Sequence, residues 1–329
     1  MASLHDVAKL AGVSKSTVSR VVNNEYGVKQ ATKDKVQKAI DELGYQTNLV
    51  AKDLKSQKTN LIGVIVPRVA SNATSQGVDG LSAVFESAGK HVLLASTQQS
   101  FQKEIEFIRL FNQKRVEGII LYATHLDEEL VEAIQHSIAP VVLVGQDGSL
   151  FNIPSIVHDD FRVGFEAGNR LLSAGCCNIG FIGVASSDIA VDKLRYQGLE
   201  QALQFKRKGE PLFHSRGEFT IESGYQQAKQ LLTEYENLDG LFCATDRIAI
   251  GAVKAIGESG RQAGEDIKVL GVGNDELGSV SSPSISTFNY PFDKAGGSAA
   301  KVLIELLDGH PPVMSKVVLT FQNIERQTC

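Results

Sequence analysis

Seven short apolar runs punctuate this 329-residue chain beyond its first sixty positions, and segments with apolar residues every three or four positions lie between them. The runs are Leu61 to Val66, His91 to Ala95, Gly118 to Tyr122, Pro140 to Val144, Ile179 to Gly183, Gly240 to Ala244 and Ile267 to Gly273. Continuous apolar runs alternating with amphipathic helices predict strands buried on both faces, hence parallel sheets covered by helices. Their number asks for two sheets, one in each of two lobes. Ligands of such folds sit beyond the carboxyl ends of the strands, here in the cleft between the lobes.

The first sixty residues follow a helical pattern instead. Ser3 with Asp6 predicts a cap for a helix carrying Val7, Ala8 and Ala11, ended by Gly12. Ser14 predicts the cap of a second helix, Lys15 to Asn23, with Val18, Val21 and Val22 facing inward. Thr32 is expected to cap a third, with Val36, Ile40 and Leu43 as its apolar stripe and Leu43-Gly44 as its end. A short glycine-containing turn joins the first two helices. The second offers Lys15, Ser16, Ser19, Arg20 and Asn23 to solvent and contains no Glu. Such a set suits a major groove about 12 Å wide, with Arg or Lys on guanine and Asn on adenine, whereas a merely solvated face usually carries Glu-Lys pairs.

Charge sharpens this division. Residues 1 to 60 hold ten Lys or Arg and six acids, a net +4, while the rest carries -9, together giving -5. A basic head attracts a phosphate backbone and an acidic body is repelled, which confines the contact to one face. With 43% hydrophobic residues the chain is not disordered, and no stretch reaches the roughly 18 apolar residues of a membrane span. The opening MASLHDVAKLAGVS lacks a basic stretch feeding an apolar run, so a soluble cytoplasmic protein is expected. Cys176 and Cys177 are adjacent while Cys243 and Cys329 stand apart, a spacing that suits reduced thiols better than a metal pair or a disulfide framework.

Enzyme motifs are absent. Gly271 and Gly273 follow a strand, but Glu276 stands where a dinucleotide fingerprint needs its third glycine. His158, Asp159 and Asp160 form a conceivable metal cluster, although acids between a strand and a helix more often serve as caps. No metal or cofactor is expected. Polar residues at strand ends suggest a sugar site instead: Arg68, Gln98, Gln146, Arg195, Asp246, Asn274, Asp275 and Tyr290. Acids and amides pair with vicinal hydroxyls, and Arg binds oxygen atoms bidentately. Each has a plainer reading: Asp246 as a helix cap, Arg195 as a partner of Asp192 or Asp246, Phe219 as core. Arg68 follows the first strand with no acid after it until Asp79, so an anion is expected beside it, the alternative being an acid from the other lobe.

The segments LHDVAKLAGVSKSTVSRVVNN, ATKDKVQKAIDELGYQTN and VAKDLKSQKT resemble the DNA-binding head and hinge of the lactose/galactose repressor family, and the resemblance runs through the whole chain. It implies an α/β fold: a helix-turn-helix head at 1–46, a hinge helix and linker at 47–60, and a two-lobed, periplasmic-binding-protein-like body at 61–329. One lobe would take about 61–160 and 291–318, the other about 161–290 and 319–329. It places Lys15, Ser16, Thr17, Ser19, Arg20 and Asn23 on or beside the recognition helix, and Asn48, Ala51, Leu54 and Lys55 in the hinge, with Leu54 as a minor-groove wedge. Thr47 departs from the proline usual there. In the cleft it implies Arg68, Ser71, Gln98, Gln146, Arg195, Phe219, Asp246, Asn274, Asp275 and Tyr290 as effector contacts. Thr245-Asp246 replaces the common Asn-Asp, and Asn274 the common Asp, which puts the usual hydroxyl contacts at those positions in doubt. The segments GVSKSTVSRVVNNEYGV, VPRVAS, ASSDIAVDKLR, CATD and GVGN are similar to the branch that governs trehalose operons and answers to trehalose 6-phosphate. The implied partners are near-palindromic operator DNA, a sugar or sugar phosphate, and a second copy of the chain. The short stretch after KVVLTF leaves no heptad tail, so a dimer is expected rather than a tetramer.

Overall fold

The computed structural model describes residues 2–23, 25–45, 59–206, 212–310 and 314–329, and the chain divides into two units, Met1–Thr59 and Asn60–Cys329. The first is a bundle of α1 (Leu4–Ala11), α2 (Lys15–Val22) and α3 (Gln30–Leu43) around fully buried Val7, Val18 and Val36. Ser3 and Asp6 form a reciprocal capping box, and Gly12 closes α1 in the left-handed conformation. Thr32 is not a cap: α3 starts two residues earlier at Gln30, where the side chain of Gln30 reaches Asp34 at 2.9 Å, and the Thr32 N–H already bonds to the Lys29 carbonyl. Expected hinge residues Asn48, Ala51, Leu54 and Lys55 lie outside the described residues.

The second unit holds two six-stranded sheets. The first runs β11-β5-β4-β3-β1-β2, from β1 (Leu61–Val66), β2 (His91–Ser96), β3 (Gly118–Tyr122), β4 (Val141–Val144), β5 (Ser155–His158) and β11 (Lys316–Leu319). The second runs β12-β10-β9-β8-β6-β7, from β6 (Ile179–Gly183), β7 (Phe213–Arg216), β8 (Gly240–Cys243), β9 (Lys268–Val272), β10 (Ser286–Asn289) and β12 (Gln322–Ile324). Every pairing is parallel except β10 with β12. Leu319 pairs with His158, so β11 runs one residue past the boundary drawn from the sequence. The run His91 to Ala95 is not buried on both faces: β2 is an edge strand, and Leu93 and Leu94 stay about two fifths exposed.

Helices α4 (Asn72–Ser87), α5 (Phe101–Gln113), α6 (Glu128–Gln135) and α12 (Phe292–Leu307) cover the first sheet. The second carries α7 (Asp160–Ser173), α8 (Arg195–Lys206), α9 (Ile221–Glu234), α10 (Asp246–Glu258) and the short α11 (Glu276–Val280). The chain crosses between lobes three times, before α7, after β10 and between β11 and β12. All four cysteines are free thiols. Among the described residues no helix is long and apolar enough to cross a membrane.

The helix pair α7/α8 meets backbone to backbone. A Cβ on Gly164 would lie 2.0 Å from the Arg195 carbonyl oxygen, and one on Gly198 would lie 2.0 Å from that of Phe161. Neither neighbour is a side chain that could swing aside. Gly164→Ala is therefore expected to destabilise the body by about 1–3 kcal/mol, the usual cost of overpacking, measured as a lower urea midpoint.

Candidate functional site

In the head, Ser14 caps α2 by accepting the Thr17 N–H at 3.1 Å, and its hydroxyl also meets those of Ser16 (2.7 Å) and Thr17 (2.8 Å). Those two hydroxyls are thus partly committed to holding the helix start. Lys15, Ser16, Arg20 and Asn23 are exposed, while Thr17 and Ser19 are half-buried. Asn23 sits just past the helix as its C-cap and donates to the Ser19 hydroxyl at 3.4 Å. Arg20 has only a loose contact with Glu25, at 4.0 Å. The helix and its cap therefore show one loosely paired guanidinium, one ammonium and an amide on a face whose other side, through Val18, is locked into the core.

In the body, a cavity of about 200 Å³ lies between the lobes. Both sheets are doubly wound, and the residues that follow β1 and β3 in one lobe, and β6 and β8 in the other, converge on it: Arg68, Thr124, Asp188 and Thr245. At its base Arg195 is buried and grips Asp160, with Nε 2.7 Å and Nη2 2.6 Å from Oδ1, while Nη1 donates to the Ala244 carbonyl. Tyr290 donates its hydroxyl to the same Asp160 oxygen at 2.9 Å and stacks on His158, ring centroids 4.2 Å apart. Burial works against the Arg195 charge, but the facing Asp160 carboxylate outweighs it and raises the guanidinium above its ordinary pKa. Burial, helped by Arg195, drives His158 down to about 3, so the imidazole is neutral.

Arg195 thus pairs with neither Asp192 nor Asp246. Asp192 accepts from Arg216 at 2.8 Å, and Asp246 is spent on the Asp275 N–H (2.7 Å) and the Thr287 hydroxyl (2.6 Å). Burial raises Asp246 to about 6. The cap of α10 is Thr245, one residue earlier. Asp159 caps α7, accepting the Arg162 N–H at 3.2 Å.

Among the described residues three hydrogen bonds tie the lobes across the cavity. Arg68 Nη2 donates to the Phe219 carbonyl at 3.1 Å, Asn72 Nδ2 to the Gly273 carbonyl at 3.1 Å, and Gln146 Nε2 to Asp188 Oδ1 at 3.0 Å. The Arg68 guanidinium also lies 5.9 Å from the Phe219 ring centroid. Among the described residues no carboxylate forms a salt bridge with Arg68, although Glu218 of the other lobe lies near enough to act on its charge. Burial and nearby Arg247 both lower its pKa, with Glu218 opposing. Ser71 opens α4 without using its hydroxyl as a cap, and it lines the cavity together with Ala73 and Thr74 from the first turn of that helix.

Of the residues expected in the cleft, Arg68, Ser71, Gln146, Arg195, Phe219 and Tyr290 line the main cavity, and Asp246 and Asp275 line a small annex beside it. Asp275 is engaged by Arg247 at 3.1 Å. Two do not take part. Gln98 is exposed, because the turn after β2 has positive φ at both Gln98 and Gln99, and it is Gln99 that reaches the cavity. Asn274 faces away, its side-chain oxygen taken by Arg326 at 2.6 Å. Asp188, Thr124 and Arg247 were not among the residues expected in the cleft, and Asp160 was weighed there only as a member of a metal cluster or as a helix cap. The strand-end argument that found Arg68 would have found Thr124 and Asp188 too, but nothing local marks Asp160 as the partner of residues 35 and 130 positions away.

Near the cavity, burial pushes the Glu104 carboxyl up to about 7, against hydrogen bonds from the Thr124 hydroxyl (3.0 Å) and N–H (3.4 Å). An acid with a raised folded pKa binds its proton more tightly in the native state. Its contribution is complete below the unfolded value near 4.5 and is lost as pH rises through about 7. Between those limits the wild type should lose roughly 1–3 kcal/mol relative to Glu104→Gln, read by denaturant unfolding at pH 5 and pH 8.

A helix-turn-helix head joined to a two-lobed body with a polar cleft defines a DNA-binding regulator with a ligand pocket. Comparison with known proteins gives the particular family. Residues 3–48 match the model of bacterial regulatory proteins of the lacI family, and residues 169–329 match a periplasmic binding protein-like domain. The chain is 32% identical to the HTH-type transcriptional regulator RegA of Clostridium saccharobutylicum over 99% of its length and 98% of that protein's. It is 33% identical to the sucrose operon repressor of Staphylococcus xylosus, with 97% and 98% covered. The crystal structure of the lac repressor dimer bound to operator and the anti-inducer ONPF superposes with a TM-score of 0.89 at 28% identity, covering 99% of this chain and 98% of that one. The chain belongs to the lacI family and is a DNA-binding transcriptional regulator, not an enzyme.

Arg20→Ala is expected to weaken operator binding by about 1–3 kcal/mol while changing binding to random DNA less, as for a base-edge contact. Fluorescence anisotropy on both duplexes checks this; equal losses would make Arg20 a phosphate contact.

Proposed function

We propose that this regulator represses transcription as a homodimer on a near-palindromic operator and is induced by a sugar phosphate, trehalose 6-phosphate. Two recognition helices related by a two-fold axis ask for such an operator. The exposed apolar residues Leu93 and Leu94 on the edge strand β2 leave surface for a second copy. Effector and operator would be coupled through the hinge at 48–55, which is too short to be helical on its own, with a coupling energy of about 1–3 kcal/mol.

One observation carries the phosphate reading: a half-buried Arg68 that forms no salt bridge among the described residues, on the cavity wall beside the first turn of α4 and close to Arg247. A guanidinium in that position favours an anion, and a phosphomonoester offers two negative charges and three acceptor oxygens in the geometry it binds best. A helix N-terminus adds favourable N–H groups. The similarity of VPRVAS and ASSDIAVDKLR to the trehalose branch supports the same choice, and a relative named for the sucrose operon is in keeping with a sugar ligand.

Calorimetry with trehalose 6-phosphate and trehalose tests it. The wild type should prefer the phosphate, and Arg68→Ala should shrink that preference by roughly 1.5–3 kcal/mol, the range for a charge-assisted hydrogen bond. Equal affinities in the wild type, or an undiminished preference in the variant, would remove the phosphate from the reading.

A further inference from the structure

At the other lobe's contribution to the cavity, Asp188 follows β6 and opens the π-helical segment Ile189–Leu194. One of its oxygens, Oδ1, is fully used: it accepts the Val191 N–H at 3.0 Å and the Gln146 side-chain N–H at 3.0 Å. Gln146 comes from the opposite lobe, where the same amide nitrogen also donates to the Thr124 carbonyl at 3.2 Å. Among the described residues no protein group donates to the second oxygen of Asp188, and it is not sealed in the interior; the residue lines the cavity. Among the described residues Gln146 likewise leaves its amide oxygen unpaired on that wall. Arg195, on the same wall, has five N–H groups and commits three to Asp160 and Ala244. The base of the cavity therefore combines acceptors from both lobes with a guanidinium donor, on a surface distinct from Arg68.

We propose that Asp188 is a specificity-determining residue of this pocket: its free oxygen accepts a hydroxyl of the ligand's sugar ring, while its other oxygen fixes the Gln146 bridge between the lobes. This rests on the reading of the cleft as a sugar-phosphate site and names the residue that reads the sugar half. A hydroxyl is the group that matches the set, because it donates to a carboxylate while accepting from the neighbouring guanidinium. A ligand bearing a carboxylate at this end would be repelled by Asp188, and an apolar one would cover its second oxygen without pairing it. The bridge gives the contact a second consequence. A ring hydroxyl held by Asp188 adds to a junction made by both lobes, so binding favours the arrangement in which they are joined.

Asp188→Asn is the test, since its amide oxygen can keep both Oδ1 hydrogen bonds while an NH₂ replaces the free acceptor. Calorimetry would use trehalose 6-phosphate, trehalose, glucose 6-phosphate and glucose, with thermal melting of the ligand-free variant as the check on folding. Sugars that bind the wild type should bind the variant roughly ten- to a hundred-fold more weakly, with the ratio of phosphorylated to unphosphorylated affinity unchanged. Monodeoxy analogues of the tightest ligand supply a readout that folding does not move: the analogue lacking the Asp188-bound hydroxyl should lose affinity for the wild type and lose none further in the variant. Undiminished affinity of Asp188→Asn for every binder would overturn the inference and leave the proposed function standing. Equal binding of trehalose and its phosphate to the wild type would remove the phosphate alone, and failure of the wild type to bind any of the four would overturn both.

Discussion

The body is organised around one buried cluster, the Asp160 carboxylate held by Arg195 and Tyr290. Asp160 stands where the chain first passes from one sheet to the other, and Tyr290 where it passes back, so a single carboxylate oxygen joins two of the three crossings. An ion pair taken out of water is costly unless its hydrogen bonds are satisfied. Here the guanidinium is further fixed by the Ala244 carbonyl, and Tyr290 is stacked on a neutral His158. Removing Asp160 or Arg195 would leave a buried charge uncompensated at the point from which both lobes are hung. The same Arg195 also faces the cavity, so the group that holds the crossings is within reach of whatever enters between the lobes.

The polar residues of the cleft divide by how fully the protein uses them. Asp246 and Asn274 have their oxygens occupied by Thr287, the Asp275 N–H and Arg326, and they serve the loops that follow β8 and β9. Arg68 and Asp188 retain unused capacity on opposite walls, one cationic and one acidic. A ligand that satisfies both must carry an anionic end and a hydroxylated one, which is a narrower demand than either residue makes alone. Discrimination of this kind draws on the cost of leaving a buried polar group unpaired rather than on the strength of any single contact.

Much of the fold was legible because its central strands are unbroken apolar runs: β1, β3 and β6 coincide with the segments read from the sequence. β7, with Phe213, His214, Ser215 and Arg216, carries no such run because it is an edge strand, and β5 and β10 are four residues long with polar residues inside. The opposite error occurred at β2, whose apolar residues imitate a central strand although it lies at the edge. Local rules located Arg68 and Gln146, since strand ends in a doubly wound sheet face the ligand. They could not tell Gln98 from Gln99, which depends on two successive left-handed residues, nor name the partner of Arg195, which depends on how distant segments return to one place. The head was read most fully, because caps and short helices are set by neighbours in the sequence, and Thr32 failed where Gln30 and Asp34 offered the chain an earlier start.

The glycine contacts between α7 and α8 bear on motion as well as on packing. Helices that meet through long side chains can slide by small rotamer changes, but backbones in direct contact have no such slack. The two helices must then travel as one piece, carrying Asp160 at the start of one and Arg195 at the start of the other. Displacement has to be taken up elsewhere, at the three narrow strands of chain between the lobes. A regulator assembled this way behaves like a pair of stiff plates on a common pin, in which a small change of angle near the pin becomes a larger shift at the far rim.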